Sequence, residues 1–98
     1  MNTVDNYHNQ VKYVLGRGYT LSVITGFGTY SRPGFVEMAL LDENGHFAYS
    51  LMGGDVVGYF PDCHVKGFVK WFNDNCDSDK FLYCSNLPQE YLKIHDIF

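Results

Sequence analysis

Residues 62–75 read DCHVKGFVKWFNDN, and their spacing shows which face of a helix would be buried. Large apolar residues stand at i, i+3, i+4 and i+7, which places them along one side of an α-helix. They are Val65, Phe68, Val69 and Phe72. Asp62 holds the expected N-cap position, directly after a proline that ends the preceding strand-like run. The pattern predicts an amphipathic helix that covers the apolar face of a sheet.

Four strand-like runs precede this helix, at residues 19–27, 35–41, 46–51 and 55–60. They are rich in β-branched and aromatic residues, and the first alternates between apolar and polar positions. The second and third runs are joined by residues 42–45, which end in Asn-Gly, a strong hairpin signal. Neighbouring strands with short connections pair antiparallel, so we expect a four-stranded antiparallel sheet.

Three further segments complete the predicted architecture. Residues 3–15 keep a helical apolar spacing, with Gly16 and Gly18 available to end the helix. Residues 80–84 fit either a short edge strand or a helical turn, and Asn86 with Gln89 three positions later marks the start of a last helix. The predicted order is α-β-β-β-β-α-(β)-α, an α+β two-layer sandwich with its helices on one face.

Size and composition indicate one globular domain over residues 1–98. A chain of this length hides about two-thirds of its extended surface on folding, so it needs no metal or disulfide for stability. Hydrophobic residues make up 46% of the chain and charged residues 18%, which is typical of folded proteins. Aromatic residues make up 17%, so some of them are candidates for a contact surface.

The charge balance disfavours nucleic acids and membranes as direct partners. Seven Lys and Arg oppose eleven Asp and Glu, giving a net charge of −4, and no basic cluster is present. Binding to duplex nucleic acid depends on Lys and Arg at the phosphates, and docking on anionic lipid depends on a polybasic segment. The acidity fits either ordinary solubility or partial mimicry of a nucleic acid towards a basic protein.

Cysteine usage and apolar runs point to a cytoplasmic protein without cofactors. Cys63, Cys76 and Cys84 are odd in number and form no CxxC pair, which is typical of reduced thiols. The first ten residues lack the features of a secretory signal, and no apolar run approaches the roughly 20 residues that span a bilayer. No zinc or calcium ligand spacing occurs, so we expect no metal site.

The best candidate for a partner-binding site is the loop between the first two strands. Phe27, Tyr30 and Arg32 are interleaved there with glycines and a proline. Tyr and Arg are enriched at binding hot spots. The alternative is that the aromatic rings close the end of the core while Arg32 is solvated. The full predicted contact set is Phe27, Tyr30, Arg32, Trp71, Asp74, Asp77 and Asp79.

A catalytic alternative depends on Cys63. It would lie in the first turn of the predicted helix, where backbone N–H groups and the helix dipole favour a thiolate. Neighbouring residues point about 100° apart on a helix, so His64 is poorly placed as its base. A base from His8, His46 or His95 stays open, as does the interpretation of Cys63 as an inert, half-buried cysteine.

In size and composition the chain resembles the small accessory proteins of phages and other mobile elements, including inhibitors of host defence nucleases such as anti-CRISPR proteins. The resemblance implies a non-enzymatic inhibitor that covers a surface of a larger protein. Three alternatives remain: a small enzyme or ligand-binding domain using Cys63, a partial nucleic-acid mimic, and an oligomeric structural subunit. In the last, Tyr91 and Phe98 of the final helix would join copies, so a homodimer is one expectation.

Overall fold

The computed structural model describes residues 8–96, and within this range it contains one four-stranded antiparallel sheet in the order β1-β2-β3-β4. The strands are β1 (His8–Val14), β2 (Thr20–Gly26), β3 (Phe35–Leu41) and β4 (Val57–Pro61). The helices are α1 (Tyr49–Met52), α2 (Val65–Asn75) and α3 (Leu87–Ile94), with 3-10 turns at Gly16–Gly18, Asp62–His64 and Phe81–Tyr83. The predicted α+β class with a four-stranded antiparallel sheet is confirmed.

The strand register brings the apolar residues of the sheet to one face. The facing pairs on that side are Val11 with Val23, Leu21 with Leu40, Val23 with Met38, and Val36 with Phe60. All three helices add buried side chains to the same core: Leu51 and Met52 from α1, Val65, Phe68 and Phe72 from α2, and Leu87, Tyr91 and Leu92 from α3. The helical layer therefore covers the apolar face of the sheet, and this burial stabilises both layers.

Helix α2 buries the side that its spacing predicts, but it begins differently. Phe68 and Phe72 are fully buried and Val69 is half-buried. Asp62, predicted as the N-cap, makes no capping bond with its side chain. It opens a 3-10 turn instead, and its backbone N–H donates to the carbonyl oxygen of Gly34 at 3.0 Å. That bond fixes the entry to α2 against the loop before β3.

Residues 8–14 form strand β1, so the helix predicted over residues 3–15 is wrong for its described part; residues 3–7 lie outside the described residues. Val11 and Tyr13 alternate with polar neighbours, so the segment also fits a strand with a period of two. Pairing with strand β2 along its whole length satisfies the backbone of β1, although Val11 and Val14 stay exposed, and this tertiary contact overrides the helical spacing.

The strand predicted at residues 46–51 is also wrong, although the turn before it is present. The Asp42 carboxylate accepts hydrogen bonds from the backbone N–H groups of Asn44 and His46, at 2.9 and 3.0 Å. The bond from His46 is the main cause of the lowered pKa of Asp42. Only Phe47 returns to pair with β3, in a single bridge. The chain then enters α1, because a helical turn directs Leu51 and Met52 into the core.

The C-terminal segment follows one of the two predicted alternatives. Residues 81–83 form a 3-10 turn, not an edge strand. The Asn86 side chain accepts a hydrogen bond from the backbone N–H of Gln89 at 3.1 Å, so the predicted cap of α3 is confirmed. None of the helices in residues 8–96 has the length and apolar character needed to cross a membrane.

Candidate partner-binding surface

The loop between β2 and β3 is held by its own hydrogen bonds. The backbone N–H of Gly26 donates to Ser31 Oγ at 3.0 Å, and Thr29 Oγ1 donates to the carbonyl of Gly26 at 2.7 Å. Arg32 and Phe35 exchange two backbone hydrogen bonds, at 2.8 and 3.2 Å. The loop thus presents its side chains from an ordered backbone.

Strand β4 contributes a bulge beside this loop. Val36 pairs with Phe60 and Met38 with Val57, so two residues, Gly58 and Tyr59, stand opposite one on β3. Tyr59 has φ 55°, in the left-handed region, which costs an L-residue about 1–2 kcal/mol. A bulge bends a strand and re-aims its side chains. Here the bulge directs the Tyr59 ring towards the loop.

The loop and the bulge touch through backbone and rings. The backbone N–H of Tyr59 donates to the carbonyl of Tyr30 at 3.0 Å, and their ring centroids lie 6.4 Å apart, edge to face. A Cβ added to Gly58 would lie 2.8 Å from the Cβ of Tyr30. Glycine is therefore required at position 58 for this approach.

Arg32 lies between two of the rings. Its guanidinium carbon is 4.7 Å from the centroid of Phe35 and 5.5 Å from that of Tyr59, both within cation–π range. Tyr30 is 59% exposed and Tyr59 49%, while Phe35 is partly buried. We call Tyr30, Arg32, Phe35 and Tyr59 the tyrosine-arginine surface. Phe27, 81% exposed, lies in the same loop.

The other predicted contact residues lie at the opposite end of α2. The turn between β1 and β2 contacts that end, because the backbone N–H of Gly16 donates to Asn73 Oδ1 at 2.8 Å. In an antiparallel meander this turn and the β2–β3 loop lie at opposite ends of the sheet. Asp74 forms an ion pair with Lys70 at 2.7 Å, and Asp77 and Asp79 are exposed after α2. The predicted contact residues therefore fall into two separate regions, the β2–β3 loop and the C-terminal end of α2.

Trp71 is half-buried at the margin of the core. Its ring centroid lies 4.9 Å from Phe81, 5.6 Å from Tyr91 and 5.8 Å from Phe68. Its exposed part lines a shallow cleft of about 260 Å³ with Phe81 and Ile94. Its assignment as a contact residue remains a prediction.

The Cys63 thiol is exposed, and it makes no hydrogen bond to a histidine whose side chain the structure describes. His64 Nδ1 instead lies 3.2 Å from the hydroxyl of Tyr91. Burial raises the pKa of Tyr91, and a Coulombic interaction with nearby Cys63 adds to the rise. His95 stacks on the Tyr91 ring, with ring centroids 4.1 Å apart. The side chain of His8 lies outside the described part.

The remaining chemistry-bearing residues do not assemble into a site. Cys76 is buried and Cys84 partly buried, and all three cysteines are unpaired. Within residues 8–96, no three His, Cys, Asp or Glu side chains come close enough to hold a metal ion.

Sequence reasoning identified Tyr30 and Arg32 but missed Tyr59, which the structure places beside them. The available signal was Gly58 inside a strand-like run, since an interior glycine often marks a bulge or a close backbone approach. Which residue follows the bulge into the left-handed region depends on the register with β3, which the sequence does not show.

No protein-family model, no curated protein and no solved structure matches this chain. Its function is therefore inferred from the arrangement of its own residues.

Proposed function

We propose that the protein is a small non-enzymatic interaction module that covers a surface of a larger protein, with the tyrosine-arginine surface at the centre of contact. The observation that carries the proposal is the grouping of two exposed tyrosines and one arginine on an ordered loop and a strained bulge. Tyr and Arg dominate binding hot spots, and side chains that are already ordered lose less entropy on binding.

The backbone of Tyr59 supports this assignment independently. A left-handed tyrosine reduces the stability of the fold, and its ring, 49% exposed, recovers little by burial. Glycine would adopt the same backbone without strain. Strained residues cluster at functional sites, where the position of the side chain matters more than its cost.

The proposed setting is an inhibitor or accessory protein of a phage or another mobile element, acting in the cytoplasm. Steric inhibition needs an interface of about 800 Å² per partner, which a chain of 98 residues can supply. The three unpaired thiols fit a reducing compartment.

Capture of partners from a lysate of the native host tests the proposal. Tagged wild type is compared with a Tyr30→Ala, Arg32→Ala double variant, and bound proteins are identified by mass spectrometry. The matched control is Lys80→Ala, Tyr83→Ala, which also removes one cation and one exposed tyrosine. Tyr83 is 86% exposed, and both residues lie far along the chain from the tyrosine-arginine surface. We expect one large protein to be retained by wild type and control and lost by the first variant.

Two outcomes contradict the proposal. Equal retention by both double variants would show that the tyrosine-arginine surface is not part of the contact. The absence of any specific partner would contradict the assignment as an interaction module. Thermal unfolding of each variant shows whether a loss reflects a changed fold.

The alternatives are separated by simple measurements. Loss of function in Cys63→Ser with an intact fold would favour the enzyme or ligand-binding hypothesis. A monomer mass that does not change with protein concentration would exclude the hypothesis of an oligomeric structural subunit. Competition by DNA and a steep loss of binding with salt would favour partial nucleic-acid mimicry.

A further inference from the structure

We propose that the partner group recognised by Arg32 is a single carboxylate, the side chain of an Asp or Glu in an exposed segment of the partner. This inference rests on the proposed function and adds the chemical class of the group that is bound. Arg is suited to such a role because its planar guanidinium can donate two parallel hydrogen bonds to one carboxylate.

The Arg32 side chain is oriented but has no polar partner among the described residues. The rings of Phe35 and Tyr59 hold its position, at 4.7 and 5.5 Å from their centroids. Its side chain donates no hydrogen bond and forms no ion pair within residues 8–96. A guanidinium that rests on rings keeps its N–H groups available at the edge of its plane.

Two acidic residues of the same region, Glu37 and Asp62, form no ion pair with Arg32. The Glu37 carboxylate accepts a hydrogen bond from the backbone N–H of Tyr30 at 2.9 Å and so supports the loop. Asp62 lines the same cleft as Arg32, yet the two form no ion pair. The cation is therefore left for a group from outside.

The cleft beside Arg32 is large enough to admit an acidic side chain together with a neighbouring residue of a partner segment. Its volume is about 460 Å³, and Pro33, Phe35 and Val36 form an apolar wall. A carboxylate that docks there is partly removed from water, and its attraction to the guanidinium grows as the effective dielectric falls. The methylene groups of Asp or Glu would pack on the apolar wall.

The same cleft disfavours a phosphate group. Among the residues that the structure describes, Arg32 is the one cation in the lining, and Asp62 adds a negative charge to it. A phosphate monoester carries about −1.5 to −2 charges and is usually recognised by several cations. A single negative charge fits this balance better.

Selection of displayed peptides on the immobilised protein tests the inference. The probe is a library of random 12-residue peptides, followed by titration of the selected peptides as synthetic molecules. We expect Asp or Glu to be enriched at one position beside an apolar residue. Arg32→Gln should raise the dissociation constant roughly 10-fold or more, because a charged hydrogen bond is lost.

Two further variants test whether the charge of the cleft changes peptide affinity in the expected direction. Lys80→Gln makes the same change of charge at an exposed lysine that follows the opposite end of α2, and it should change binding less than about two-fold, since a distant surface charge is screened. Asp62→Asn removes the opposing charge and should tighten binding. Asp62 makes no capping bond, so this change leaves α2 intact.

Peptides without acidic enrichment would overturn the carboxylate inference, as would binding that Arg32→Gln leaves unchanged, binding that Asp62→Asn weakens, or failure to select any peptide. The proposed function is judged separately by capture of the large partner. If Tyr30→Ala, Arg32→Ala still abolishes that capture, the interaction surface stands and only the recognised group is wrong.

Discussion

Two groups of aromatic side chains in this protein have opposite surroundings. The buried aromatic cluster consists of the buried rings of Phe60, Phe68, Phe81 and Tyr91 together with half-buried Trp71 at its margin, with neighbouring ring centroids 4.9 to 6.2 Å apart. The tyrosine-arginine surface has a similar ring spacing, 6.4 Å between its tyrosines, but both rings are about half exposed. Ring geometry alone therefore does not separate a core from a contact surface, whereas burial and backbone strain do.

The difference shows how the high aromatic content is divided. Rings of the buried cluster hold α2 and α3 on the sheet, and Tyr91 is 2% exposed with its hydroxyl against Gly67. Rings of the surface add little burial and require a left-handed residue, Tyr59. One group contributes stability, and we assign binding to the other.

The largest expected difference between the groups is in stability. Phe68 is fully buried, so Phe68→Ala should lower the free energy of unfolding by about 3–5 kcal/mol, through lost burial and the cavity left behind. Tyr30→Ala should change it by about 0.5 kcal/mol or less, because Tyr30 is 59% exposed. Urea unfolding measures both. Comparable losses would break the distinction between the two groups.

A smaller effect tests the packing inside the buried cluster. A Cβ added to Gly67 would collide with the hydroxyl of Tyr91, so Gly67→Ala should cost about 1–3 kcal/mol. Tyr91→Phe removes the hydroxyl and leaves a ring carbon 3.4 Å from the new Cβ. The double variant should therefore be more stable than the sum of the two single effects predicts. Additive free energies of unfolding would show that the collision is relieved elsewhere.

The surface should respond with the opposite sign. Tyr59→Gly relieves the left-handed backbone and should raise the free energy of unfolding by about 0.5–1 kcal/mol, while partner capture is lost. Tyr83→Gly serves as control, because Tyr83 is exposed without positive φ and should lose stability. A destabilised Tyr59→Gly variant would indicate that the ring supports the fold.

The smallest expected effect is a dependence on alkaline pH. The pKa of Tyr91 is raised above its ordinary value of 10.0, mainly by burial. Because the pKa of Tyr91 is higher in the folded than in the unfolded chain, the stabilisation from its protonated phenol is complete below pH 10.0. It is lost as the pH rises through the pKa of the folded state. Wild type should therefore lose stability above this pH more steeply than Tyr91→Phe. Identical profiles of unfolding free energy against pH for wild type and Tyr91→Phe would show that Tyr91 does not cause this loss. As a control, Tyr83→Phe should follow the wild-type profile.

Parts of the fold and of the site were predictable because short-range chemistry governs them. The buried stripe of α2, the turn that starts at Asp42 and the cap at Asn86 depend on residues within a few positions of one another. Tyr30 and Arg32 were found for the same reason, since a loop rich in glycine and proline is visible in sequence.

The errors arose where the outcome depends on distant residues. Strand β1 carries a spacing that fits a helix as well, and its pairing with β2 decides between them. Asp62 looks like a helix cap, but its backbone binds Gly34 and a 3-10 turn intervenes. Local propensity is a weak preference, and hydrogen bonding between backbone groups far apart in the chain overrides it in both segments.

The amino-acid sequence by itself determined the α+β class, the amphipathic face of α2 and the candidate loop, because hydrophobic period, caps and turn residues act over a few positions. Only the tertiary structure decided that residues 8–14 are a strand and that residues 49–52 are helical. It also brought Tyr59 to Tyr30 and Arg32 across the bulge. Strand register and packing join residues that are far apart along the chain, and no local pattern records which of them will meet.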